Sequence, residues 1–224
     1  MILMEKKKLT ALHKIFILAG LVVVGAIAQI ITLLLDNHPI VNFPPKGTTI
    51  VALGDSLTSG VGASSPEHGY VHILEERLRV TIINKGISGN TTSDALKRLD
   101  DVLAVKPDIV IILLGGNDYL QKIPKEETFA NLRAIIARIQ SSGAVVLLVG
   151  IRGGILHDNF ADDFSALGDE MGTIFIPDAL DGIFNNPKFM SDQIHPNDAG
   201  YLKIADKIAP KLLGLVSSAK QERE

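Results

Sequence analysis

Cysteine is absent from all 224 positions, which excludes disulfides, thiolate-bound metal and a thiol nucleophile. Tryptophan is missing too, and aromatic residues make up only 5% of the chain, so no stacking platform for sugars or bases is advertised. Positive charge is not in excess: the net charge is −3, and it is unevenly placed. Lys6, Lys7, Lys8 and Lys14 against Glu5 give the first 35 residues +3, leaving 18 basic against 24 acidic residues, or −6, in the remainder. A nucleic-acid-binding face needs the opposite balance, and nucleic acid is not an expected partner. The phosphate-binding patterns GxxxxGK[ST] and GxGxxG do not occur, which argues against a nucleotide-binding domain.

One long apolar run is present. Ile15 to Leu35 holds 21 residues without a charge, and only Gln29 and Thr32 are clearly polar. As a helix it would reach about 31 Å, the thickness of a hydrocarbon core. Basic residues precede it, which suits either a signal anchor or a signal peptide cut near Ala26-Ile27-Ala28. Because the run stays apolar through Leu35, an uncleaved anchor is the preferred reading. The lysines on its N-terminal side predict a short basic cytoplasmic segment at 1–14, a transmembrane helix at 15–35 and a remainder on the extracytoplasmic side. Secretion after cleavage is the alternative. Residues 36–47 carry three prolines and a glycine and read as a stiff linker.

From Thr49 onward, short apolar runs alternate with helical periodicity. Strands are expected at about 49–53, 80–84, 109–114, 144–149 and 173–176. Helices are expected at about 67–79, 91–105, 125–141, 159–171 and 198–213. The unbroken Ile-Val-Ile-Ile-Leu-Leu at 109–114 has the character of a central parallel strand. Five strands spaced by helices predict an α/β fold, a three-layer α/β/α sandwich with a five-stranded parallel sheet. The domain is placed at 48–215, with 216–224 as a polar tail and a monomer as the default state.

Chemistry-bearing residues collect where these strands end, which is where parallel sheets bind ligands. Ser56 follows Gly54-Asp55 at the end of the first strand; a helix cap is its plainer reading. A serine hydroxyl needs a base within hydrogen-bond reach. His195 suits that task, and Asp192, three residues earlier, can hold the imidazole. Pro196 keeps His195 out of helical geometry, so the ring is presented from a loop. The Ser56 amide, the Gly89 amide and the Asn117 side chain are candidate donors to an oxyanion; Gly89 as a plain turn glycine and Asn117 as a left-handed turn residue stay open. Asp55, Asp118, Tyr119 and Arg152 are secondary candidates for substrate contact, with Asp118 also read as a brace for the Asn117 loop. His68 and His72, one helical turn apart, are read as a solvated helix face and not as metal ligands, and the rival pair His157 and Asp158 ranks below the Asp192–His195 spacing.

The blocks GDSLTSG at 54–60, KGISGNTT at 85–92, GGND at 115–118 and DQIH at 192–195 resemble those of the SGNH hydrolase superfamily, the GDSL esterases and lipases, in order and spacing. The GxSxG elbow of α/β-hydrolases is absent. The resemblance implies a flavodoxin-like sheet, Ser56 as nucleophile and oxyanion donor, Gly89 and Asn117 as further donors, and His195 as base oriented by Asp192. It is greatest to small bacterial arylesterases, thioesterases and lysophospholipases, and implies a small acyl-ester substrate, an acyl-enzyme, and no cofactor or metal. Those periplasmic members usually carry a cleavable signal, from which the apolar segment here departs. Two other readings are an O-acetylesterase acting on envelope glycans and a catalytically silent, membrane-tethered binding module.

Overall fold

A computed structural model describes residues 39–152 and 160–221. The expected transmembrane helix at 15–35, the basic segment before it and the His157–Asp158 pair lie outside the described residues. Among those described, no helix is long and apolar enough to cross a membrane. The chain divides into a unit of residues 1–39 and one of residues 40–224; the architecture below is that of the second.

Its elements are β1 (Ile50–Gly54), α1 (Ser56–Ser59), α2 (Tyr70–Leu78), β2 (Ile82–Gly86), α3 (Thr92–Lys97), α4 (Leu99–Leu103), β3 (Ile109–Leu113), α5 (Gly116–Leu120), α6 (Lys125–Ser141), β4 (Val145–Val149), α7 (Phe160–Glu170), β5 (Ile174–Ile176) and α8 (Asp198–Gln221). A 3₁₀ turn at Pro66–His68 precedes α2. The five strands form one parallel sheet in the order β2-β1-β3-β4-β5. β1, β3 and β4 are buried at every position, as strands covered on both faces must be. Side chains alternate between two cores. Ile50, Ala52, Ile109 and Ile111 meet α2 and α8 on one face. Val51, Leu53, Val110 and Ile112 meet α3, α4, α6 and α7 on the other.

This strand order reverses direction beside β1. The chain leaves β1 toward the α2–α8 face and leaves β3 toward the other, which opens a crevice between their carboxyl ends. That crevice lies between the loops carrying Ser56 and Asn117.

Several expectations shift for identifiable reasons. The helix expected from residue 67 begins only at Tyr70, because Gly69 is extended (φ −70°, ψ 149°) and separates it from the 3₁₀ turn. The helix expected over 91–105 breaks at Arg98, whose backbone (φ −102°, ψ 13°) leaves the helical region. β2 starts two residues later than expected, with the Ile82 amide donating to Glu75 Oε1 at 2.8 Å; as an edge strand it tolerates Asn84 and Lys85. The tail placed at 216–224 is helical through Gln221, since Leu215, Val216 and Ala219 continue the buried stripe of α8. The linker is not free over its second half. The Val41 amide donates to Gly172 O at 2.9 Å, Asn42 Nδ2 donates to Gln140 O and Ala144 O, and Pro45 and Gly47 are buried. The folded unit therefore runs beyond 48–215 at both ends.

The α1 backbone lies against β2 at Gly86. A Cβ there would stand 2.4 Å from the Ser59 nitrogen and 2.6 Å from the Thr58 carbonyl carbon, too close for any side chain. Gly86→Ala is expected to push α1 off the sheet at a cost of about 1–3 kcal/mol, lowering the melting temperature by roughly 2–4 °C per kcal/mol. A melting curve superimposable on wild type would show that α1 is not seated as described.

Candidate active site

β1 delivers Ser56 through a turn with no slack. A Cβ on Gly54 would fall 1.9 Å from Thr58 Oγ1, so only glycine lets α1 fold back over the strand end. Asp55 caps α1, its Oδ1 accepting from the Leu57 amide at 3.0 Å. Gly60, left-handed at φ 86°, closes the other end. Ser56 is the first residue of this single turn, with its hydroxyl at the crevice.

His195 arrives on a separate loop that is largely self-organised. Asp192 Oδ1 accepts from the Ile194 amide (2.8 Å) and the His195 amide (2.7 Å), and its Oδ2 meets His195 Nδ1 at 2.8 Å. The antiparallel bridge Met190–Pro196 closes the loop. Donation from His195 Nδ1, followed by the two amides, holds the Asp192 carboxyl down to about 2. Asp192 is therefore a carboxylate at any working pH and can only accept, so Nδ1 carries the proton. The Nε2 lone pair then faces Ser56 Oγ, 3.1 Å away. Hydroxyl, imidazole and carboxylate stand in file, from residues up to 139 positions apart.

Gly89 and Asn117 border the same space. Gly89 is left-handed (φ 81°), and nothing lies within 4 Å of where its Cβ would be. Asn117 Nδ2 donates to Asn90 O at 2.9 Å and, more weakly, to Asp55 Oδ2 at 3.4 Å. A layer of residues behind them escaped the sequence reading. Arg98 Nε donates to Asn90 Oδ1 at 2.6 Å, while its Nη2 reaches Gly54 O at 3.0 Å. The guanidinium thus ties the end of β1 to the residue that orients Asn117. The break at Arg98 is where this side chain turns inward, a signal that shows only once the sheet is assembled. Thr91 caps α3 and forms a capping box with Asp94.

Asp118 is a correction. It is fully buried, accepts from the Thr92 amide and hydroxyl and from Thr128 Oγ1, and does not line the cleft. Substrate cannot touch it; it braces α5 against α3 and α6. Asp55 borders the cleft but is only 2% exposed, so its place is in the floor. Tyr119 lines the wall with its ring edge-on to Phe160 (5.6 Å between centroids). Arg152 stands exposed at the rim, its amide directed to Asp178 Oδ1 at 3.4 Å. His68 and His72 point to different partners: His68 to Ser64 and Asp198, His72 to Glu75 and Glu76.

The cleft holds about 320 Å³. Ser56, Gly89, Asn117 and His195 supply its polar end, and Leu57, Ile151, Phe160, Leu180, Phe184 and Ile194 make much of the rest apolar.

Residues 52–203 match the GDSL-like lipase/acylhydrolase family. Similarity extends to an arylesterase of Vibrio mimicus, 34% identical over 175 residues covering 73% of this chain and 88% of that one. It extends also to the thioesterase 1/protease 1/lysophospholipase L1 of Escherichia coli, 30% identical over 75% of this chain and 85% of that one. Among solved structures, TesA superposes with a TM-score of 0.69 at 31% identity, over 75% of this chain and 99% of that chain. The protein belongs to the GDSL-like lipase/acylhydrolase family, and it is a hydrolase acting on ester bonds.

Asp55 carries a stability signature that can be measured. Burial raises its carboxyl from 3.8 to about 6, against the opposing Leu57 amide and the positive charge available on His195. A carboxyl raised on folding binds more protons in the folded than in the unfolded state between about 4 and 6. Its charge therefore destabilises the fold above pH 6, and that cost fades as pH falls toward 4. Asp55→Asn, which cannot ionise, is expected to gain melting temperature over wild type at pH 8 and to lose most of that advantage at pH 4. A difference between the two proteins that is equal at both pH values would mean that Asp55 is not a buried titrating group.

Proposed function

We propose that the protein cleaves small or single-chain acyl esters through an acyl-enzyme on Ser56. The observation that carries this reading is the file Asp192–His195–Ser56, with Nδ1 committed to the carboxylate and Nε2 to the hydroxyl. In the forward step Ser56 Oγ attacks the ester carbonyl as its proton passes to His195 Nε2. Asp192 keeps the ring oriented and stabilises the imidazolium. Negative charge that develops on the carbonyl oxygen is met by the amides of Ser56 and Gly89 and by Asn117 Nδ2. That oxygen would replace Asp55 Oδ2 as the second acceptor of Asn117, an exchange the 3.4 Å separation makes inexpensive. Collapse expels the alcohol, which takes the proton from Nε2. Water, deprotonated by the same nitrogen, then attacks the acyl-enzyme and releases the acid and Ser56.

The apolar wall from Leu57 to Phe184 favours an aliphatic or aromatic acyl group. Similarity to an arylesterase and to a thioesterase/lysophospholipase supports ester and thioester substrates of that kind. Among the described residues, Ser88, Asn117, Tyr119 and Arg152 are the hydrogen-bonding groups that accompany the apolar wall, a balance that favours acyl-group recognition over that of sugar hydroxyls. The 21 uncharged residues at 15–35, behind a basic N-terminus, support anchoring in the cytoplasmic membrane with the hydrolase on its extracytoplasmic side.

Ser56→Ala should abolish turnover of p-nitrophenyl acetate and butyrate and labelling by a fluorophosphonate. Asn117→Ala should keep the labelling stoichiometry but lose about 10²–10³ in kcat. Ester turnover retained by Ser56→Ala would rule the mechanism out.

A further inference from the structure

The contact between Ser56 and His195 is one hydrogen bond between two loops. Their register must be set by something firmer than that bond. The loop that follows α1 supplies it, because it is laid directly across the histidine's turn. Gly62 is left-handed (φ 94°), and a Cβ on it would sit 2.4 Å from Ser191 Oγ, 2.5 Å from Pro196 O and 3.0 Å from His195 Cβ. Next to it, the hydroxyl of the fully buried Tyr201 donates to Val61 O at 2.6 Å.

The outer end of this seam holds a second serine, histidine and aspartate. Asp198, in the first turn of α8, accepts from the Ser64 amide (2.8 Å) through Oδ1 and from Ser64 Oγ (2.6 Å) through Oδ2. His68 Nδ1 lies 2.7 Å from Ser64 Oγ and 3.1 Å from Asp198 Oδ2. The two bonds from Ser64 hold the Asp198 carboxyl below its ordinary range, so it is charged at neutral pH. This cluster is not arranged to make a nucleophile. The Ser64 proton is given to the carboxylate and not to the imidazole, and the same carboxylate oxygen is shared with the ring. What the cluster does join is the segment eight to twelve residues after Ser56 to the residue three positions after His195.

We propose that Ser64, Asp198 and His68 form an outer clamp that sets the distance and angle between His195 and Ser56, with Ser64 and Asp198 as positioning residues for ester hydrolysis. The proposal rests on the roles given to Ser56 and His195 above. Its members are exposed, with side chains of His68 and Asp198 open to 53% and 43%. Exposed polar pairs contribute little to global stability, so loss of the clamp should register in alignment more than in melting. Proton transfer is steep in geometry, and small displacements of a reacting pair cost one to two orders of magnitude.

The test compares Ser64→Ala, Asp198→Asn and Ser64→Thr in the full chain with wild type and Ser56→Ala. The measurements are kcat and KM for p-nitrophenyl butyrate, the rate constant and stoichiometry of fluorophosphonate labelling, and the melting temperature. Ser64→Ala and Asp198→Asn are expected to lose about tenfold or more in kcat and in labelling rate. KM should stay within about twofold, labelling should still reach one per chain, and melting should change by a few degrees at most. Ser64→Thr, which restores the hydroxyl, should recover most of the rate. The clamp is refuted if both disabling variants label and turn over within about twofold of wild type while Ser56→Ala is inert. It is refuted equally if their lost rate matches a lost fraction of titratable sites, which would mark unfolding. Activity surviving in Ser56→Ala would instead remove the catalytic roles themselves, and the clamp with them.

Discussion

The hydrogen bond of 3.1 Å between Ser56 Oγ and His195 Nε2 joins the first strand-end loop of the domain to the last, and the architecture is best understood from what that bond requires. The serine loop feeds α2 and the histidine loop feeds α8. Both helices lie on the same face of the sheet and share one core, in which Tyr70, Leu74, Tyr201 and Ile204 are fully buried. The Arg77–Asp206 ion pair at 2.6 Å marks the exposed edge of that packing. The hydrophobic seam brings the two helices together at low resolution; the Gly62 seat and the Tyr201 hydroxyl then refine it to hydrogen-bond tolerance. Apolar burial is non-directional, so the second step has to be polar or steric.

The two halves of the site are built by different means. The histidine side is local, for Asp192 folds the turn, fixes the tautomer and carries the charge within four residues. The Asn117 side is non-local. Asn117 takes its orientation from Asn90, Asn90 from Arg98, and Arg98 from the end of β1. A local turn survives drift of the surrounding sheet, whereas a relay of three residues, linked through the backbone carbonyl and the side chain of Asn90, requires the sheet to be in register. That requirement explains why two neighbouring residues of the GGND block are spent so differently. Asn117 faces the cleft, while Asp118 is sunk in a network with Thr92 and Thr128 that keeps α5 in place.

Much of this was legible beforehand. β1, β3 and β4 fall within a residue of the runs that announced them, and α6 occupies 125–141 as its periodicity required. Strands with both faces buried and a long amphipathic helix carry strong, local signals. The meeting of Ser56, His195 and Asp192 was inferred from residue chemistry and block spacing, and the structure brings those three together. What escaped was short or relational. α1 and α5 span four and five residues, too few for a hydrophobic period. Arg98 looked like any polar helix residue, and Asn90 like any turn asparagine. The docking of Asn42 on the carbonyls of Gln140 and Ala144 pairs positions about a hundred residues apart, and no local pattern encodes it. The reach of α8 past residue 215 was hidden because Leu215, Val216 and Ala219 sit among polar residues that suggested a loose end.

Asp55 is where the two halves of the site touch. Its Oδ1 caps the turn that carries the serine, and its Oδ2 is the weaker of the two acceptors facing Asn117. Positive charge on His195 eases its ionisation and the Asp118 carboxylate opposes it, with burial the dominant influence. A carboxylate there strengthens the bond it accepts from Asn117 and favours positive charge on the His195 ring. A neutral carboxyl releases Asn117 and withdraws that help from His195. Distant sites behave additively only when they share no partner, and here they share this one. With its carboxyl raised to about 6 by burial, Asp55 therefore changes the charge of the acceptor that faces Asn117 just below neutral pH, and any change at Asp55 is felt at both loops at once.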